Sequence, residues 1–468
     1  MSIKAHYLEC FLSKAVYIRI WLCLFFNFYN TFFSGVPSCR GCFFIMIING
    51  ALSPERQRKS RINYNIFNVI NGFSYMCLGE TVIILLAIRL QCPDSIGMML
   101  NAMIYLGFTL LPLGKIMTAR VGAARSQMWF WIFRNGAALL VASAPLWLYM
   151  FNQYVALAVV LLGAFLFYGF RAAGVVMGQP LLGDITNDDN RAGFIARSNG
   201  LFFVSAIAAL LIIIQLIEAM PSTWTLVGII IFGASLGVFA STFLAKIDES
   251  DNIRRSARRP IVNEIRKIRQ NPWFMSQVLA GFVCNFAIFL VVPAAMWLVK
   301  KGYGIDDGFA LRFSLAQYGG SVVVGFIHGF FSRRWGADNV LKIYYIMLLL
   351  IGGYWAIAPE NINYTGCFVA FFLAGLCSVG ISSGMAHYFI QTVEPANRVA
   401  GSMVVSVVTS AVAGGLGMSL GAFIMWVLQN MELSQLKIYQ VYFRIAFVLI
   451  AINVVFMLRL KKPPVKSV

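Results

Sequence analysis

The chain has 468 residues, 60% of them hydrophobic and 12% charged. Soluble domains carry about 25% charged residues, so this composition excludes a water-soluble protein and indicates an all-α integral membrane chain. A net charge of +19 would suggest nucleic acid in a soluble protein; here the placement of the charges along the chain accounts for it, and no nucleic-acid partner is implied.

Residues 1–49 differ in composition from the rest of the chain. They are rich in Phe, Cys and Ile and lack a clean small-residue cleavage site. Two readings stand. The apolar run Ala15–Phe33 is an extra span or an uncleaved signal, which would place the N-terminus outside. Alternatively, translation begins at Met46, and Ser53–Arg61 (SPERQRKSR) becomes a basic cytoplasmic leader within residues 50–65. The second is preferred, because the topology closes without residues 1–45, which are then dispensable. Nine cysteines are scattered, mostly in apolar runs, as expected of small hydrophobes. Cys39 and Cys42 form a CxxC with no second pair and no nearby His, so no metal and no cofactor are expected.

Twelve apolar runs of membrane-spanning length come next. Spans 1 to 6 cover about 66–88, 96–117, 126–149, 155–178, 198–218 and 223–245. Spans 7 to 12 cover about 275–299, 310–331, 339–358, 365–389, 400–428 and 438–459. The halves are thus 66–245 and 275–459, with a polar linker at 246–274 and a tail at 460–468. The stretch Lys246–Trp273 holds eight Lys or Arg and four Asp or Glu, which cannot sit in hydrocarbon. Ile261, Ile265 and Ile268 stand at helical spacing beside Arg266, Lys267 and Arg269, a pattern that predicts an amphipathic helix on anionic inner-leaflet lipids. Of the 37 basic residues, 25 fall on the linker side of this topology and six on the other. The positive-inside rule then makes the linker side and both core termini cytoplasmic, in an inner or plasma membrane.

The halves repeat. Arg120, Gly122 and Ala123 before span 3 recur as Arg334, Gly336 and Ala337 before span 9, at an offset of 214. At that offset Ala142, Ala144 and Pro145 recur as Ala356, Ala358 and Pro359. Gly174 and Gly178 in span 4, and Gly380 and Gly384 in span 10, keep the same close-packing spacing. Such copies are related by an axis along the membrane normal.

Two six-helix halves, a basic central linker and a duplicated basic motif after spans 2 and 8 resemble the major facilitator superfamily. The motif is Gly114, Arg120, Gly122 and Arg125 in the first copy, and Gly329, Arg333, Arg334 and Gly336 in the second. Both copies lack the carboxylate that the family uses there to latch the cytoplasmic gate; Asp184 or Asp188 in the next loop are candidates to supply it. The resemblance implies secondary transport by alternating access, with spans 1, 4, 7 and 10 around a central cavity.

Three charges lie within spans: Glu80, Arg134 and Arg171. An intramembrane charge faces a cavity or a partner, because hydrocarbon penalises it. By helix rise Glu80 lies about 22 Å from the linker end and the two arginines about 10–12 Å, so a direct pair is at its limit. Glu80 is the candidate proton-coupling carboxylate, with an ion pair to Arg171 or Arg134 as the structural alternative. Arg171 is the candidate for binding an anion or for coupling, and Arg134 is expected to be structural. Asn71, Tyr75, Asn285, Ser382, Ser383 and His387 are candidate cavity-lining, substrate-binding groups. The reading is a monomeric, proton-coupled transporter of a small organic solute. A facilitative uniporter, a transport-inactive sensor of the same fold and a polytopic membrane enzyme are the alternatives. Three scattered histidines and no phosphate-binding loop argue against an enzyme or an ATP-driven pump.

Overall fold

The computed structural model describes residues 47–48, 50–91, 100, 103–305 and 307–463, with the backbone alone at 47, 80, 81, 262, 307, 308, 310 and 311. Residues 1–46, and with them Cys39 and Cys42, lie outside the described residues. Span 1 is α1 (Pro54–Leu78) and α2 (Glu80–Arg89), and α3 (Leu111–Val121) is the linker-side part of span 2. Then come α4 (Ala123–Ala142), α5 (Gln153–Val175) with α6 (Gly178–Ile185), α7 (Asp188–Ala219) and α8 (Thr223–Leu244), which are spans 3 to 6. The linker holds α9 (Asp251–Arg258) and α10 (Ile261–Arg269). Spans 7 to 10 are α11 (Pro272–Trp297), α12 (Asp307–Trp335), α13 (Ala337–Ala356) and α14 (Tyr364–Thr392). Span 11 is α15 (Arg398–Val405) and α16 (Ala413–Gln429), joined by a wider turn, and span 12 is α17 (Gln435–Leu458).

Among the described residues nine helices are long and apolar enough to cross a membrane. The other three of the twelve are span 2, partly outside the described residues, span 3, which carries Arg125 and Arg134, and the long α12.

Two polar stretches are helical. The leader is helical, since α1 already begins at Pro54. Ser53 Oγ accepts from Arg56 N, Pro54 occupies the first turn and Glu55 comes next, which together start a helix whatever the polarity of its side chains. The linker holds two short helices, and the second, α10, covers the stretch with the amphipathic pattern. Arg259 and Pro260 divide the two, and Ile268 and Ile261 turn into protein cores, leaving Ile265 exposed. The sequence stripe is real, and its apolar side is mostly covered by the protein itself.

The repeat appears in the backbone. α4 and α13 have the same length and start 214 residues apart. Each starts after a glycine in the left-handed region, Gly122 at φ 91° and Gly336 at φ 82°, where a side chain would be strained. Arg120 and Arg334 lie on the same side of the molecule, at the ends of α3 and α12.

Each half has its own apolar core. Two further buried clusters, both at the linker end, take residues from both halves. Between the halves, α7 packs along α12. The symmetry-related contact is span 2 on span 11, where the ring of Tyr105 meets Gly414 and its hydroxyl lies 2.8 Å from Met418 Sδ. A pseudo-twofold relation requires this pairing, since span 5 corresponds to 11 and span 2 to 8.

Candidate functional site

In the N-terminal half a polar group forms where α1 meets α4 and α5. Asn71 Oδ1 accepts hydrogen bonds from Trp131 Nε1 and from Arg134 Nη2, each at 3.0 Å. Arg134 Nη2 also donates to Asn135 Oδ1 at 3.2 Å, and its guanidinium lies 5.1 Å from the Trp131 ring and 5.5 Å from Phe167. Arg134 is 1% exposed. Hydrogen bonds and aromatic faces replace the water such a cation loses. Asn71, a candidate for substrate binding, is thus engaged by two donors inside its own half.

One turn further along α1, Tyr75 lies under Arg171, whose guanidinium is 5.0 Å from the ring; Phe202 of α7 stands 5.8 Å away on Tyr75. Span 1 then breaks. Gly79 is extended (ψ 170°), and the amides of Val82 and Ile83 return to its carbonyl at 3.1 and 3.3 Å. Glu80 opens α2 directly after this break. Its side chain, and therefore its expected pairing with Arg171 or Arg134, lies outside the described residues.

This geometry gives a first prediction. Arg134→Lys keeps the charge but loses the fork that serves two asparagines and stacks on two rings. It is expected to lower thermal stability by about 1–3 kcal/mol, while transport per folded molecule stays close to that of the parent. Thermal shift of the purified protein measures the first and flux normalised to folded protein the second.

The C-terminal candidates separate. Asn285 Nδ2 donates to Gly281 O of its own helix at 2.9 Å. Ser382 is exposed, whereas Ser383 is buried and accepts from Asn199 Nδ2 of α7 at 2.9 Å, a contact between the halves. His387 is buried one turn further along α14. A second contact between the halves is Ser402 Oγ donating to Val176 O at 2.7 Å. Neither Asn199 nor Ser402 stands out in the sequence, since single polar residues in apolar helices give no direction.

The duplicated motif gathers at the linker end with mixed roles. Gly114 is packing: a Cβ there would overlap Ala173 O of α5. Gly329 does the same between the halves, against Gly193. Arg333 Nε donates to Gly329 O at 3.2 Å, and Arg120 and Arg334 are exposed. The two carboxylates considered for the first copy, Asp184 and Asp188, both have partners near the linker end. Asp188 pairs with Arg191 on its own helix. Asp184 accepts from the backbone and hydroxyl of Ser250. A further carboxylate stands at this motif: Glu249 of the linker, whose Oε2 accepts from Ala123 N at 2.7 Å and Ala124 N at 3.0 Å at the start of α4.

The model of the Major Facilitator Superfamily matches residues 20–418. The chain belongs to that superfamily. It is therefore a membrane transporter and not an enzyme. The match opens within the N-terminal extension. No curated protein sequence matches the chain. Solved structures of superfamily members share its fold at low identity. The transporter FucP in the outward conformation has a TM-score of 0.62 at 14% identity, over 85% of this chain and 99% of that one. A bacterial homologue of the iron transporter ferroportin, outward-facing with soaked iron, has 0.66 at 11%, over 86% and 98%. The proton:xylose symporter XylE bound to 6-bromo-6-deoxy-D-glucose has 0.64 at 10%, over 87% and 96%.

Proposed function

We propose that this superfamily member is a proton-coupled secondary transporter of a small organic solute. It works as a monomer by alternating access in the inner or plasma membrane, with the linker side cytoplasmic. The observation that carries the coupling is the broken first span. Discontinuous helices in transporters mark binding sites, because freed backbone groups and a helix end face the ligand. Here the break places a carboxyl-bearing residue, Glu80, just beyond the Tyr75–Arg171 contact. The excess of basic residues at the linker side supports the orientation.

Liposomes holding the purified chain and a trapped pH-sensitive dye test this reading. Sugars, organic acids, amino acids and amines are added singly. A solute that changes internal pH on entry identifies both substrate and coupling. A solute that equilibrates without moving protons makes the protein a uniporter; binding without any flux makes it a sensor. If the substrate is an anion, Arg171→Lys is expected to weaken its uptake through KM, because a point charge replaces the planar fork. Uptake unchanged by that substitution removes Arg171 from the binding site.

A further inference from the structure

The two copies differ in the acids at the starts of α4 and α13. α13 carries Asp338 in its first turn, buried, with Oδ1 3.0 Å from where a Cβ on Gly336 would stand. The counterpart in α4, 214 residues earlier, is Ala124. The amides of Ala123 and Ala124 still need an acceptor, as every helix start does. Glu249 fills that place from 125 residues away. It is 1% exposed, and Oε1 has no hydrogen-bond partner among the described residues. Gly122 leaves it room, since a Cβ there would overlap Oε1.

From Glu249 the linker runs on to the other half. Glu249–Ser250 pairs in parallel with Ile47–Ile48, and Ser250 N donates to Asp184 Oδ2 at 2.9 Å. Beyond it, Ile253 and Ala257 of α9 are buried in one cluster. With them lie Leu111 and Val176 from the N-terminal half, and Val399 and Met403 from the C-terminal half. The guanidinium of Arg398, at the start of span 11, lies against Gly183 and within electrostatic reach of Asp184. The linker helix is thus wedged between the halves, and Glu249 pins the strand that leads into it.

We propose that Glu249 is a positioning residue for alternating access: it clasps the start of α4 to the linker wedge between the halves and so keeps the linker side closed. Release of the carboxylate from α4 frees α9 and lets that side open. The clasp requires that the halves move against one another, not that transport is proton-coupled.

Protonation favours the clasped form. Burial pushes the Glu249 carboxyl up from its ordinary 4.5 to about 7. The charge of Asp184 adds to this, and the amides of Ala124 and Ala123 and the charge of Arg125 oppose it. A group raised in the closed state and ordinary in the open one contributes fully below 4.5, and that contribution is lost as pH rises through about 7.

Hydrogen–deuterium exchange of the full chain in lipid nanodiscs, corrected for intrinsic rates, tests the clasp without a substrate. In Glu249→Ala, exchange is expected to rise in three peptides: 119–130, 246–259 and 395–405, the last in the other half. A rise confined to the first two would make Glu249 a local helix cap and overturn the proposal, as would no rise at all. Glu249→Gln keeps an acceptor oxygen and cannot titrate. It is expected to protect 395–405 as the parent does at pH 6 and to lack the parent's loss of protection between pH 6 and 8. An equal pH response in parent and Gln variant would show that another group governs the closure.

Discussion

Glu80→Gln is expected to abolish solute-driven proton movement while leaving solute binding and exchange intact. Gln keeps the size and most hydrogen bonding of the residue and removes only its titration. Glu80 opens α2 immediately after the break at Gly79. A helix start favours a negative charge, and hydrocarbon disfavours it. The balance therefore depends on whether water reaches the site, and alternating access changes the water. This is the property a coupling carboxylate needs: it holds its proton in one state of the cavity and releases it in the other. Internal pH and solute flux, recorded together in the same liposomes, decide the matter. A Gln variant that still moves protons with the solute, or accumulates solute against its gradient as well as the parent, shows Glu80 to be a structural partner.

The fold is legible in the sequence because hydrocarbon leaves few options. Apolar runs must be helices, their flanking charges orient them, and the glycines before spans 3 and 9 mark a duplication that the backbone repeats at φ 91° and φ 82°. The polar details are not legible, and the reason is direction. Asn71 sits in a long helix whose spacing shows where it lies along the span, not which neighbour it meets; Trp131 and Arg134 claim its oxygen. Polarity alone makes Ser53–Arg61 read as a leader, although Ser53, Pro54 and Glu55 already spell a helix start. Glu249 is hidden by distance, one acid in a charged linker that reads as solvated. Its place becomes visible once the start of α4 is asked which group satisfies its amides.

Gly325→Ala is expected to cripple transport, although it adds one methyl group. α7 and α12 cross with backbone against backbone. A Cβ on Gly325 would overlap Gly200 Cα and come within 2.8 Å of Gly200 N, and one on Gly200 would lie 3.0 Å from Gly325 Cα. Neither neighbour is a flexible side chain, so the helices themselves must part. Overpacking of this kind costs about 1–3 kcal/mol. Because α7 and α12 belong to different halves, the cost falls on the arrangement in which they touch, and a conformational equilibrium moves by about 5–150-fold for that energy. Two glycines on the same two helices serve as controls. Gly193→Ala, whose Cβ would stand 4.0 Å from Gly329 Cα, should be tolerated, and so should Gly319→Ala, which meets only the Phe372 ring at 3.9 Å. Gly329→Ala should resemble Gly325→Ala, since its Cβ would press on Gly193. Flux per folded molecule and thiol labelling of a reporter cysteine at Ser402, buried against Val176 of the other half at the linker end, read the two consequences: flux falls and labelling rises. If Gly325→Ala transports as well as Gly319→Ala, the crossing is not where the halves bear on one another during transport.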